Sequence, residues 1–229
     1  MKAVVYCGTR NLYSDMVTAA KSLLIHSDVE RVYFLIEDDD FPHPLPSCIL
    51  TINVAGQTWF TPGGPNYWRK WTWMVLMRMA LPKILDEDIV LSLDVDTIVE
   101  KDISALWDID LAGYYVAAAR EPLKSHDKLY VNCGVALFNL KLLRESGACD
   151  AMIEALNTRE FTFAEQDAVA ELWQGKIKTI SAEYNNCDFT EYVAEERARI
   201  RHYAFNQSWR SLPEVRRYQM IPWEEICTT

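Results

Sequence analysis

Apolar positions along this chain switch between two periods, and the switches mark its elements. Residues 3–7 (AVVYC) form a short apolar run ending at Gly8-Thr9, and the following pattern sets Met16, Ala19, Ala20, Leu23 and Leu24 on one helical face. RVYFLI, starting at Arg31, reads as a strand up to the acid cluster EDDD. Strand, helix and strand in that succession begin an α/β unit with a parallel sheet. Residues 42–65 are rich in Pro, Gly and Thr, with one weak strand near Ile49–Val54. GQTWFTPGGPNYW (56–68) reads as a long loop with exposed aromatics that border a ligand site.

From Trp68 to Leu85 the spacing predicts a helix with Trp68, Trp71, Val75 and Met79 on one face, ended or kinked at Pro82. Ile89, Val90, Leu91 and Leu93 then make a buried strand. AGYYVAAAR (112–120) and NCGVALFNL (132–140) read as strands, and KLLRESGACDAMIEALN (141–157) as helical. A short helix over AEQDAVAELWQG closes at Gly175, and strands follow in IKTISAEYNN (177–186) and RIRHYAF (199–205). No repeat interrupts this order, so residues 1–229 are expected to form a single α/β domain with mixed strand order.

Composition narrows the classes of function. Half of the 229 residues are apolar and eight are Trp, which excludes disorder. A formal charge of −10 disfavours nucleic acid as a partner, although Arg197, Arg199 and Arg201 form a local basic cluster. No apolar stretch approaches the ~18 residues of a membrane span. The apolar run at the N-terminus is too short for a secretory signal, so the expected location is cytoplasmic. Six scattered Cys without a C-x-x-C pair then read as reduced core residues.

The candidate chemistry lies at the end of the buried strand, in LSLDVDTIVEKDI (91–103). Unpaired carboxylates there would cost several kcal/mol, so Asp94 and Asp96 need a cation or an opening to water. The period of two along the strand directs both carboxylates to one side with Val95 opposite, a pincer for a hard metal ion. Two enzyme classes use such a pair. DVDT matches the D-x-D-x-T of haloacid-dehalogenase-like phosphatases, but no downstream G-D-x-x-x-D or D-D element follows. In nucleotide-sugar glycosyltransferases of the GT-A fold, the carboxylates hold a divalent metal against the donor diphosphate.

Further segments extend the second pattern in order from Ala3 to about Trp209. VVYCGTRNLY, SLL (22–24), RMALPKIL with IVLSLDVDTIV, YVNCGVALFNLKLLRE, EQDAV, EYNN and RHYAFNQSW together resemble glycosyltransferase family 8, the retaining family that includes glycogenin and bacterial lipooligosaccharide galactosyltransferases. The resemblance implies a GT-A fold: one Rossmann-like α/β domain with a mixed, mainly parallel sheet flanked by helices. It also implies transfer of a hexose, glucose or galactose, from a UDP-sugar to a hydroxyl on a glycan or protein.

Carried over residue by residue, the resemblance makes Asp94, Asp96 and His202 the metal ligands, with Mn2+ preferred and Mg2+ as the alternative. Arg78 matches an arginine that reaches the donor sugar and diphosphate, and Asn132 and Glu165 match residues that bond the sugar. Gln166 matches the position beneath the anomeric carbon and, with Arg78 and Asp94, completes the expected catalytic group. An amide is a poor nucleophile, which favours front-face attack. Cys7, Gly8, Thr9 and Asn11 fall in the uridine turn, and Val95 and Cys133 complete the expected donor contacts.

Three departures qualify this reading. Thr9 and Arg10 stand where the family often has Asp, which leaves Cys7, Gly8 and Asn11 as the better base-side candidates. In the terminal H-x-x-G-x-x-K motif, Phe205 replaces the glycine and Ser208 the diphosphate-binding lysine, so Arg201, Arg210 and Lys70 become candidate sources of charge. The sequence also ends soon after this motif without a basic amphipathic tail, which favours a soluble acceptor. A weakly catalytic UDP-sugar-binding protein of the same fold is the rival reading that the altered motif allows.

Overall fold

The computed structural model describes residues 1–68, 71–124 and 128–227. In chain order the elements are β1 (Ala3–Cys7), α1 (Tyr13–His26), β2 (Arg31–Ile36), β3 (Ile49–Asn53), α2 (Met77–Ile84), β4 (Ile89–Leu93) and β5 (Thr97–Val99). There follow β6 (Val116–Arg120), β7 (Val131–Asn139), α3 (Leu140–Glu145), α4 (Ala148–Thr158), α5 (Ala164–Leu172), β8 (Ile177–Ile180), β9 (Ile200–His202) and α6 (Pro213–Met220). Seven strands form one sheet in the order β3-β2-β1-β4-β7-β6-β8. β3, β2, β1 and β4 run parallel, β7 is antiparallel to both neighbours, and β8 lies parallel to β6.

Both sheet faces are covered, which is why the inner strands read as continuous apolar runs. Along β1, Ala3 and Val5 join the core under α2–α5, with Met77, Leu140, Met152 and Val169. Val4 and Tyr6 point the other way, into the core under α1 with Met16, Ala19 and Leu23. A second, two-stranded sheet pairs β5 with β9 and aligns Thr97 with His202.

Several boundaries differ from the pattern reading. The helix predicted over 68–85 begins only at Met77, after one 3-10 turn at Trp73–Leu76. Thr72 is extended (φ −73°, ψ 162°), which breaks the helical path. Trp73 turns inward and stacks on Tyr67, with ring centroids 5.8 Å apart. Arg69 and Lys70, which that prediction included, lie outside the described residues. The helical stretch 141–157 is two helices, because Gly147 takes a left-handed conformation (φ 72°) between α3 and α4. The strand expected over 112–120 starts at Val116, and the one expected over 177–186 ends at Ile180 before a 3-10 turn at Ala182–Tyr184. All six cysteines are free thiols, but only Cys133 and Cys149 are buried and the other four are half-buried.

The aromatic loop also divides. Phe60 is fully buried and Trp59 and Tyr67 pack half-buried against the core, whereas Trp68 is 64 % exposed. Most of these rings therefore anchor the loop instead of bordering a ligand. Phe60→Ala should lower unfolding free energy by about 3–5 kcal/mol. Trp68→Ala should change it by less than about 0.5 kcal/mol. Chemical denaturation of both variants measures the contrast.

Candidate functional site

The chain leaves β4 at Leu93, so Asp94 and Asp96 are not consecutive same-face residues of a strand, contrary to the pattern reading. Residues 94–96 form a turn, closed by Thr97 N–H to the Asp94 carbonyl at 3.2 Å and by Asp94 N–H to the Gly134 carbonyl at 2.8 Å. Turn geometry brings the carboxylates together, and the β5–β9 pairing delivers His202 to them. His202 Nε2 stands 3.4 Å from Asp96 Oδ1 and 3.6 Å from Asp94 Oδ2. Ligand atoms of all three residues lie within 4.8 Å of one another.

His202 is oriented from behind. Its Nδ1–H faces Asn185 Oδ1 at 2.9 Å, and Asn185 Nδ2 donates to Asn132 Oδ1 at 2.9 Å. Asn132 Nδ2 in turn donates to the buried Glu121 at 2.6 Å. This directional chain presents Nε2 to the carboxylates, the arrangement by which outer residues fix a ligating imidazole. Burial opposes a charge on His202, but Asp96 and Asp94 outweigh it and raise its pKa well above the ordinary value. A site that attracts a proton this strongly is equally a site for a cation. Two carboxylates and one imidazole nitrogen suit a divalent metal of the magnesium or manganese kind. Gly134 leaves room for the cluster: a Cβ there would stand 2.2 Å from His202 Cε1 and 2.8 Å from Asp94 Oδ2.

A register shift positions the neighbouring residues. Ala118 pairs with Ala136 but Ala119 pairs with Asn132, so the segment containing Cys133 and Gly134 bulges from β7 toward the turn. Arg78 on α2 is 4 % exposed and bonds both Asp94 and the Cys133 carbonyl, with Glu165 3.7 Å from its Nε. That Nε is buried without a hydrogen-bond acceptor. The Cys133 side chain lies in the core, so its backbone is what faces the site.

Glu165 and Gln166 lie in the first turn of α5, immediately after its first residue Ala164, whose backbone is left-handed (φ 42°). Such strain in a non-glycine residue costs about 1–3 kcal/mol and concentrates at functional positions. The Gln166 amide is held at both ends, accepting from Cys133 N–H and donating to Glu121, each at 3.1 Å. Asp167 is committed elsewhere: Tyr130 Oη–H bonds one carboxylate oxygen and Phe163 N–H donates to the other at 2.8 Å.

Two cavities meet here. One, of about 330 Å3, has Asn132, Glu165, Gln166 and Glu121 among its polar groups and Trp71, Phe163, Phe189 and Phe205 among its aromatic ones. The other, of about 410 Å3, runs past Cys7, Leu12, Trp68, Val95, Trp209 and Arg210. Arg78, Asp94 and Asp96 line both. Among the base-side candidates, Cys7 reaches a cavity, and burial pushes its thiol up to about 12, so it stays protonated. Thr9 Oγ1 bonds Asn11 Oδ1 at 2.7 Å, and Gly8 packs against Met16. Ser208 bonds Asn206, and Arg201 is held by Glu100 at 2.8 Å.

Sequence reading missed Glu121, Lys124 and Asn185. Asn185 stood within the EYNN motif, but Glu121 and Lys124 carried no signal of their own. Lys124 Nζ reaches Glu121 at 3.2 Å, which brings both to the cavity wall.

The model of glycosyl transferase family 8 matches residues 3–208. This chain belongs to glycosyltransferase family 8. Glycosyltransferase GlyB of Streptococcus pneumoniae serotype 4 (strain ATCC BAA-334 / TIGR4) is 27% identical over 158 residues, covering 68% of the chain and 39% of that protein. GlyE of the same organism is 26% identical over 243 residues, covering 98% of the chain and 57% of GlyE. The chain thus spans about half the length of these relatives or less. The GlyE crystal structure superposes with a TM-score of 0.75 at 21% identity, covering 98% of the chain and 62% of its own. The galactosyltransferase LgtC, solved with donor and acceptor sugar analogues, superposes at 0.67 with 18% identity, covering 98% of the chain and 100% of LgtC. The fold of this family 8 member is GT-A. Among its described residues no helix is long and apolar enough to cross a membrane.

Glu165 yields a prediction about pH. Burial raises its pKa from 4.5 to about 7, with Arg78 opposing and Asp94 adding to the rise. The native state then binds more protons than the unfolded state between those values, so this group's contribution to stability falls as pH rises from 4.5 to about 7. Glu165→Gln should remove that fall, worth up to about 3 kcal/mol. Metal-free denaturation curves at pH 4.5 and pH 7.5 test it, and equal pH slopes in variant and wild type would contradict it.

Proposed function

We propose that the protein is a metal-dependent, retaining glycosyltransferase that moves a hexose, glucose or galactose, from a UDP-sugar to a hydroxyl of a glycan or protein acceptor. The observation that carries this reading is the Asp94–Asp96–His202 cluster at the junction of two cavities in a family 8 chain. The cavity with Cys7 and Val95 suits a nucleoside, and the cavity with Asn132, Glu165 and Gln166 suits a sugar. Manganese bound by the cluster would neutralise the charge that grows on the departing diphosphate.

The chain's own residues account for the remaining requirements. Arg78 is fixed by Asp94 and the Cys133 carbonyl and lines both cavities, which places its guanidinium beside a bound donor. Asn132 and Glu165 offer hydrogen bonds to sugar hydroxyls from the cavity wall. Gln166 is anchored at both ends and is an amide, so its role is to support the anomeric carbon as positive charge develops there. The acceptor oxygen bonds to that carbon on the face the diphosphate leaves. The carbon–oxygen bond to the diphosphate breaks, and the acceptor proton passes to the leaving phosphate oxygen. With Asp167 engaged by Tyr130 and Phe163, this front-face route is favoured over attack by that carboxylate.

UDP should stabilise the protein only in the presence of manganese, by about 2.7 kcal/mol at a hundredfold excess over Kd. Asp96→Asn should abolish the coupled shift. Thermal unfolding with UDP, metal and both decides the point, and equal stabilisation by UDP alone would refute a metal-dependent site.

Gln166→Ala should leave UDP affinity within about twofold while lowering turnover at least about a hundredfold, because the amide faces the sugar and not the nucleotide. Calorimetry with UDP and a UDP-release assay separate the two effects. Loss of UDP binding would place this side chain in a different role, and a β-linked product from an α-linked donor would exclude retention.

A further inference from the structure

The charges around the metal cluster nearly cancel before any phosphate arrives. Asp94 and Glu165 face Arg78, Asp96 faces His202, and a divalent cation would balance the carboxylate charge that remains. A nucleoside diphosphate adds negative charge on the side of the second cavity, where Arg78 and Arg210 are the cations among the described lining residues. Arg78 is already shared between two carboxylates. Arg201 points to Glu100 and Glu195, at 2.8 and 3.6 Å, and lines neither cavity.

Arg210 is unusually well fixed for a side chain 47 % exposed. Its Nε lies 2.8 and 3.0 Å from the two oxygens of Asp15, and its Nη2 lies 2.6 Å from Oδ2. Asp15 is itself 5 % exposed, in the first turn of α1. The guanidinium also sits 5.2 Å from the ring centre of Trp209, which is buried and stacked on Tyr203. One edge is thus clamped while Nη1 makes no hydrogen bond to any described residue. A guanidinium held in this way presents two N–H donors with little further loss of rotamer freedom, which is how arginine recognises phosphate oxygens.

We propose that Arg210, positioned by Asp15, donates hydrogen bonds to the phosphate groups of the nucleoside diphosphate in the second cavity. This rests on the reading of the site as a UDP-sugar site. Asp15 offsets part of the cation's charge, so geometry supplies more of the effect than net charge does. Arg210 then governs how strongly the protein distinguishes a nucleoside diphosphate from the bare nucleoside.

Equilibrium binding of UDP and of uridine, each with manganese, tests this on the wild-type chain, Arg210→Gln, Arg210→Lys and the double variant Asp15→Asn/Arg210→Gln. The double variant avoids a buried unpaired carboxylate and keeps a neutral hydrogen-bonding pair. Both Gln variants should bind UDP about tenfold more weakly while uridine affinity stays within about twofold, and Arg210→Lys should recover part of the loss. An unchanged UDP-to-uridine ratio in the Gln variants overturns the assignment, as does an equal loss for both ligands. If the wild type itself fails to prefer UDP over uridine, the UDP-sugar reading fails, and this inference with it.

Discussion

The burial of one guanidinium organises this protein. Arg78 sits in the core on α2, where a lone charge would be prohibitively costly, and it persists because three other elements answer it. Asp94 comes from the turn after β4, Glu165 from the start of α5, and the Cys133 carbonyl from β7. Each partner therefore has its place set by the same charge. Glu165 is the least well compensated, at 3.7 Å, and burial accordingly drives it toward its neutral form.

Around that charge the backbone departs from regular geometry where function needs it to. The register shift between β6 and β7 turns the Asn132–Gly134 segment toward the Asp94 turn, and the absence of a side chain at Gly134 lets His202 close on it. Ala164 and Phe205 both adopt left-handed backbones, one immediately before Glu165 and the other on the cavity wall. Hydrogen bonds fix the side chains of the site. They run in one direction from His202 through Asn185 and Asn132 to Glu121, so the imidazole, the amides and the buried carboxylate are mutually fixed. A site organised in this manner needs little rearrangement to meet developing charge.

The two cavities have different characters because different elements wall them. The first combines amides and carboxylates with the rings of Trp71, Phe163, Phe189 and Phe205, and Lys124 lies 3.3 Å from the centre of the Phe163 ring. The second is walled by the β1 end, Trp68 and the segment after β9. Their shared floor is the acidic turn itself, so a ligand spanning both would pass directly over Asp94 and Asp96.

The sequence alone determined the α/β class, the family and the position of the acidic pair, because these depend on local period and on short ordered motifs. Apolar runs at 3–7, 31–36 and 89–93 have a meaning readable without knowing their neighbours. Tertiary structure decided how Asp94 and Asp96 converge. A turn closed by Gly134, itself displaced by a bulge between distant strands, has no signature in the stretch 91–103. It likewise decided that Phe60 anchors the core while Trp68 remains exposed, a distinction an aromatic-rich loop does not encode locally. Glu121 and Lys124 acquire importance only through Asn132, Gln166 and Phe163, and Arg210 only through Asp15. Charge partners separated by most of the chain are invisible to periodicity, because burial and pairing are properties of the packed molecule.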